Sequence, residues 1–155
     1  STIHTMRLVI QRVSEASVSI DGKLHSSIGH GLMVLVGVEE GDTPDDVRWL
    51  ASKTAGLRIF DDADGVMNLS IQQVSGEVLA VSQFTLTAST RKGNRPSYIR
   101  AAGHELAVPL YEMYCNELSR MLGRETRRGV FGADMHVSLV NSGPVTIIID
   151  SRLRE

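Results

Sequence analysis

A chain of 155 residues is long enough for one compact domain with a real core and short for two. Apolar residues make up 42% and charged residues 22%, and no apolar run approaches the roughly 18 residues that span a bilayer, so a globular class is expected and a membrane partner is not. The single cysteine, Cys115, excludes an internal disulfide and a cysteine-based metal cluster and fits a reduced, cytoplasmic protein, while the net charge of −2 by itself predicts no nucleic-acid partner.

Ser1–Thr5 lacks the apolar centre of a signal peptide and reads as a vector remnant ahead of Met6. Residues 6–155 read as one domain, because no repeat, low-complexity tract or Pro/Ser-rich linker divides them. Met6–Val13 is a strand. Ala16–Ile20 and Leu24–Ile28 flank Asp21-Gly22, two residues that tolerate positive φ, which predicts a hairpin. Leu32–Val38 is apolar throughout and suits a strand covered on both faces.

Thr43, Pro44 and Asp46 mark a helix start, Val47, Leu50, Ala51 and Thr54 follow helical spacing, and Gly56 is the expected stop. Leu57–Phe60 and Val66–Leu69 read as short strands around an acidic turn, and Glu77–Leu86 as a long strand. A basic loop, Arg91–Tyr98, precedes a second helix expected over Leu106–Leu122, with Pro109 tolerable near its first turn and Gly123 ending it. Met135–Val140 and Val145–Ile149 are the last strands, joined by Asn141–Pro144. Strands outnumber helices, which implies an α/β fold: a mixed, barrel-like β core of hairpin-linked strands with two helices outside.

Charge is unevenly placed. Residues 1–90 hold 6 Lys/Arg against 11 Asp/Glu, whereas residues 91–128 hold 8 against 4. Such a basic segment fits either a phosphate footprint or a solvated surface. Phosphate-cradling glycine patterns are missing: Gly29-His30-Gly31 lacks the third glycine, and Gly22-Lys23 has none upstream. Placing Gly65 at the glycine of a calcium loop puts Phe60 and Ile71 at essential ligand positions, so the acidic segment is a turn. The five histidines show no metal-binding spacing, and no Gly-x-Ser-x-Gly elbow occurs. Neither a metal nor another cofactor is expected.

Two segments carry more. Ser82-Gln83-Phe84-Thr85 places polar groups at the end of an apolar strand, a local inconsistency that fits either a site or a strand reaching solvent. Thr85 has no identifiable base beside it, so covalent catalysis is a weak reading. Backbone N–H groups aimed at a carbonyl are a better source of rate, each lowering a barrier by about 2.7–4 kcal/mol. The second segment is Asn141-Ser142-Gly143-Pro144-Val145-Thr146. Most Gly-Pro bonds are trans, only about one X–Pro bond in twenty being cis.

Together with Ile10-Gln11-Arg12-Val13, Arg58-Ile59-Phe60, Met67-Asn68-Leu69, Gly93-Asn94-Arg95-Pro96 and Phe131-Gly132-Ala133-Asp134-Met135, these segments resemble the D-aminoacyl-tRNA deacylase family, in order, from Met6 to about Asp150. The resemblance implies a homodimeric, cofactor-free ester hydrolase with its site at the subunit interface. It implies that aminoacyl-tRNA is the partner and that Ser82, Gln83, Phe84 and Thr85 form the catalytic segment. The backbone N–H groups of Phe84 and Thr85 would stabilise the oxyanion, and the terminal ribose's 2′-hydroxyl would assist. A cis Gly143-Pro144 would exclude L-amino acids from the second protomer's pocket. Arg12 would steady that loop, with Asn141 beside it. Phe131 and Met135 would line the adenosine pocket, their alternative being core packing. Arg91, Lys92 and Arg95 are candidates by their charge for the phosphates of the tRNA acceptor stem, which the resemblance does not fix residue by residue. Glycine has no side chain to exclude, so glycyl-tRNA is also expected to be cleaved. Ser142 departs from the family, which commonly has an acidic residue there, and Ser151–Glu155 lie outside the match. Two rival readings stay open: a non-catalytic nucleic-acid-binding relative, and a hydrolase with Thr85 as nucleophile.

Overall fold

The sheet grows from one long hairpin. In the computed structural model, which describes residues 5–154, β1 (Arg7–Ile20) turns into β2 (Lys23–Ile28) through Asp21 and Gly22, at φ 53° and 75°. Two positive φ values in succession give the turn whose twist matches paired strands, as the sequence predicts. β1 also pairs antiparallel with β3 (Gly31–Gly37) and with β8 (Met135–Asp150).

Two helices then make the sheet mixed. α1 (Pro44–Gly56) intervenes before β6 (Glu77–Ser82) lies parallel to β3, and α2 (His104–Leu122) intervenes before β7 (Arg127–Arg128) lies parallel to β6. Parallel neighbours need such crossovers, since a tight turn cannot return the chain in the same direction. β4 (Phe60–Asp61) and β5 (Met67–Leu69) form a separate small hairpin. The order is β2-β1-β3-β6-β7, with β8 attached to β1. The sheet curls until Ser26 of β2 donates a hydrogen bond to the Arg128 carbonyl of β7 at 2.8 Å. The mixed, barrel-like core with two outer helices is therefore present: β1 pairs antiparallel with β2, β3 and β8, and β3, β6 and β7 run parallel.

Two expected breaks are bulges instead. β1 is continuous through Ser14-Glu15, and β8 through Asn141–Pro144, with register shifts where the two strands face each other. Thr146 opposes Gln11 and Asn141 opposes Val13, so the residues between Asn141 and Thr146 loop out against a single residue, Arg12. Polar runs that read as connections are thus accommodated within strands.

The helix signals fare well. Thr43 donates its N–H to Asp46 Oδ2 at 2.8 Å, the reciprocal half of the predicted box. Gly56 is the last helical residue, and Leu57 leaves in extended conformation rather than through a left-handed glycine. α2 begins two residues before the expected Leu106, at His104, which places Pro109 in the second turn; it ends at Gly123, φ 68°. Thr54 and Tyr114, both fully buried, join the helices through a 2.8 Å hydroxyl bond that leaves neither polar tip unpaired.

β3 serves two cores, as its unbroken apolar run implies. Leu32, Val34 and Val36 pack with the helices, while Met33 faces the barrel interior beside Val13, Val18, Leu79 and Val81. The expected vector remnant lies outside the described residues except for Thr5. That residue is buried and donates its N–H to Glu39 Oε2 at 3.3 Å.

Candidate active site

β6 stops at Ser82, short of the expected Leu86, and the chain tightens into a 3-10 helix over Phe84–Thr87. The β-branched and apolar residues of Thr85-Leu86-Thr87 suggest a strand; contacts from distant Arg7, Arg100 and Gly37 hold a turn instead. Gln83 still donates its N–H to the Val36 carbonyl at 2.8 Å, the last tie to β3. The first turn bond of the 3-10 helix runs from Leu86 N–H to the Gln83 carbonyl. The N–H groups of Phe84 and Thr85 therefore have no acceptor within the turn.

The opposite end of this turn is held firmly. Arg7 donates to the Leu86 carbonyl at 3.1 Å and is itself oriented by Asp150 at 2.7 Å. Arg100 donates to the Thr87 carbonyl at 3.2 Å and faces the buried Glu39 carboxylate at 3.8 Å. Gly37 permits the close approach: a Cβ there would lie 2.8 Å from Leu86 Cβ. Gln83 donates its side-chain amide to Thr85 Oγ1 at 2.9 Å. Among the described residues, no carboxylate, imidazole or amine is bonded to that hydroxyl.

This turn edges a cleft of about 720 Å³ lined by Ser82, Gln83, Phe84, Thr85, Phe131 and Met135. The structure thus brings six predicted residues together. It adds Val36, Ala101 and His104, which carried no motif signal, and Gly132 and Asp134 from the Phe131–Met135 segment. His104 meets the Phe131 ring edge-on at 5.0 Å between centroids, and Tyr111 lies behind it at 6.2 Å. Tyr111 donates its hydroxyl to the Ala80 carbonyl at 2.7 Å, and burial pushes its phenol far up, so it stays a neutral prop. Among the described residues no cluster of three or more His, Cys, Asp or Glu is placed to hold a metal ion.

The other motif lies elsewhere. The Gly143–Pro144 peptide is cis, and neither residue lines the cleft of its own chain. Arg12 grips the loop base: its Nε donates to the Ser142 carbonyl at 2.9 Å, while Nη1 donates to the Ile59 carbonyl at 2.8 Å. Asn141 closes the loop by accepting the Val145 N–H at 2.7 Å and donating to the Val145 carbonyl at 3.2 Å. Arg91, Lys92 and Arg95 stand exposed on a loop closed by reciprocal 2.8 Å bonds between Ser89 and Ser97.

A curled mixed sheet, two outer helices and one cleft at the end of β6 define the deacylase-type fold, seen also in two solved chains. One, titled "c-Myc DNA Unwinding Element Binding Protein", is 36% identical with a TM-score of 0.86 and covers 92% of this chain and 97% of its own. The other, titled a probable eukaryotic D-amino acid tRNA deacylase, is 17% identical and supports the fold alone, at TM-score 0.82 over 94% and 99%. Residues 9–150 match the family described as D-Tyr-tRNA(Tyr) deacylase, and the chain belongs to that family. A D-aminoacyl-tRNA deacylase of Porphyromonas gingivalis is 63% identical over 97% of this chain and 100% of its own length.

Proposed function

We propose that the protein hydrolyses the ester joining a D-amino acid to the 3′-terminal adenosine of tRNA, releasing amino acid and tRNA. The observation that carries this reading is the pair of N–H groups, Phe84 and Thr85, left open on a turn that edges the cleft where the polar and aromatic predicted residues meet. Water attacks the ester carbonyl, negative charge develops on its oxygen, and these two donors meet it; the C–O bond then breaks to free the ribose hydroxyl. Thr85 Oγ1, held by a neutral amide, is an orienting group rather than a nucleophile. The ribose 2′-hydroxyl assists the attacking water, a role for which the described residues offer no side-chain base beside Thr85.

Handedness requires a barrier on one side of the α-carbon, because both enantiomers present the same atoms. Each tenfold of rejection needs about 1.4 kcal/mol. In this reading the barrier is the main chain at Gly143 and Pro144 of a second copy, since the loop does not reach its own cleft. A homodimer with a shared site follows. Glycyl-tRNA, with nothing to exclude, is a substrate too. Phe131 and Met135 face the adenosine, Arg91, Lys92 and Arg95 face tRNA phosphates, and the cytoplasm, where tRNA is charged, is the working compartment.

The test is incubation with D-aminoacyl-, L-aminoacyl- and glycyl-tRNA, and with tRNA ending in 2′-deoxyadenosine. Cleavage of the D- and glycyl esters, sparing of the L-ester and slowing of the deoxy substrate are expected. Equal turnover of the two enantiomers overturns the barrier. Binding of tRNA with no cleavage at all would favour a nucleic-acid-binding relative.

A further inference from the structure

The rim of the cleft is unusual in both charge and polarity. From Val78 to His104 the chain contains no Asp or Glu, while Arg91, Lys92, Arg95 and Arg100 all fall within that stretch. Arg100 is engaged by the Thr87 carbonyl and Glu39. The other three are exposed, and among the described residues none forms an ion pair. Immediately after the neck of their loop stands Tyr98, whose ring meets that of Phe84 in a T-shaped contact, 5.0 Å between centroids and 72° between planes. Both rings remain in solvent, Phe84 57% and Tyr98 40% exposed, and the neighbouring Ile99 is 87% exposed.

Adjacent large apolar side chains left in water mark a contact surface. Here the surface is continuous with the cleft, because Phe84 belongs to both. Its occupant should be flat, apolar on its faces and anionic along its backbone. Unpaired nucleotides meet that description: bases stack on aromatic rings irrespective of sequence, and their phosphates seek Lys and Arg.

We propose that Tyr98 and Phe84, with the Arg91–Arg95 loop, form a stacking and phosphate-holding platform for the unpaired nucleotides that precede the terminal adenosine of the substrate. The platform rests on the deacylase reading but adds a subsite outside the cleft. Tyr98 acts in binding, not in chemistry. The cleft takes the last nucleoside, and the platform takes the strand that leads into it.

The experiment compares two substrates, D-aminoacyl-tRNA and the minimal ester D-aminoacyl-adenosine, using the wild type, Tyr98→Ala and Tyr98→Phe. Tyr98→Ala should raise KM for the tRNA about tenfold with kcat unchanged, and leave the minimal ester unaffected. Tyr98→Phe, which keeps the ring, should match the wild type on both. Replacing Arg91, Lys92 and Arg95 by Ala should flatten the salt dependence of KM for tRNA by about 0.7 in log–log slope for each phosphate no longer neutralised. Equal losses of both substrates in Tyr98→Ala would make the ring a mere prop for the 3-10 turn and overturn the platform. No loss on tRNA would overturn it as well. A changed sedimentation coefficient for Tyr98→Ala would assign the aromatic pair to contact between copies instead. A wild type inert on both substrates would remove the deacylase reading, and the platform with it.

Discussion

The two motif loops interrupt strands in opposite ways. The turn at Phe84–Thr87 is gripped by its carbonyl end, where Arg7 and Arg100 donate to Leu86 and Thr87, and its N–H end is left open. The loop at Ser142–Val145 is a bulge tied at its base by Arg12 and Asn141. One is arranged to offer donors; the other is arranged to stay in place. The first leans on buried ionisable groups, Glu39 and Asp42 among them, while the second is held by Arg12 and the neutral amide of Asn141. The contrast teaches that one chain can brace two interruptions separately, leaving donors open in one and fixing the base of the other; in the proposed function, chemistry and selectivity divide along that line.

Breaking the first brace should have the largest effect. Gly37→Ala puts a methyl 2.8 Å from Leu86 Cβ, an atom too close to the backbone to swing aside. The turn must shift, and loss of one aligned donor costs about 100- to 1000-fold in kcat. Single-turnover cleavage of D-aminoacyl-adenosine measures this; an unchanged rate would mean that the two N–H groups are not the oxyanion donors.

Breaking the second brace should act on selectivity first. Arg12→Ala frees the Ser142 carbonyl, and the ratio of D- to L-ester cleavage should fall by at least about tenfold, or about 1.4 kcal/mol. Cleavage of the D-ester should change much less. If D-ester cleavage fell while the ratio held, the division of labour would be wrong.

A third test concerns the support beneath Arg100. Asp42 is 4% exposed, accepts the Glu39 N–H at 2.7 Å, and burial pushes its carboxyl up to about 7. Between about 4 and 7 the unfolded chain releases this proton while the folded one keeps it, so stability falls as pH rises through that window and the penalty is complete above it. Asp42→Asn should therefore be more stable than the wild type at pH 8 by about 1.4 kcal/mol or more. The gap should close near pH 4. Denaturant melts at both pH values decide it; a variant less stable at pH 8 contradicts the sign.

The smallest effect is expected at Thr85. Loss of a true nucleophile costs about a millionfold in a serine-protease triad, whereas Thr85→Ala here removes only an oxygen bonded to Gln83. Less than about a tenfold drop in kcat is expected. A complete loss would restore Thr85 as the attacking group.

Much of this was legible in the residues because local chemistry decided it. Asp21-Gly22 and Thr43-Pro44-Asp46 act within a few residues of themselves, and both appear where the sequence places them. The strand expected through Leu86 fails because Thr85-Leu86-Thr87 has strand-like side chains, while the turn is decided by distant groups, Arg7, Arg100 and Gly37. β1 and β8 each read as two strands in the sequence because a bulge leaves the same polar signature as a connection. Arg127–Arg128, only two residues long, offers no periodicity to read. The motif residues of the cleft are recognisable through their resemblance to a family, but His104 and Ala101 give no such signal, being brought there by the start of α2 and its approach segment.

The contact from Asp150 through Arg7 to the Leu86 carbonyl has a wider meaning. Asp150 ends the same strand from which the Gly143–Pro144 loop protrudes. A single ribbon of chain thus carries the Gly143–Pro144 loop at its middle and anchors the Phe84–Thr87 turn at its tip. Under the roles proposed above, drift in that ribbon would register in speed and accuracy together.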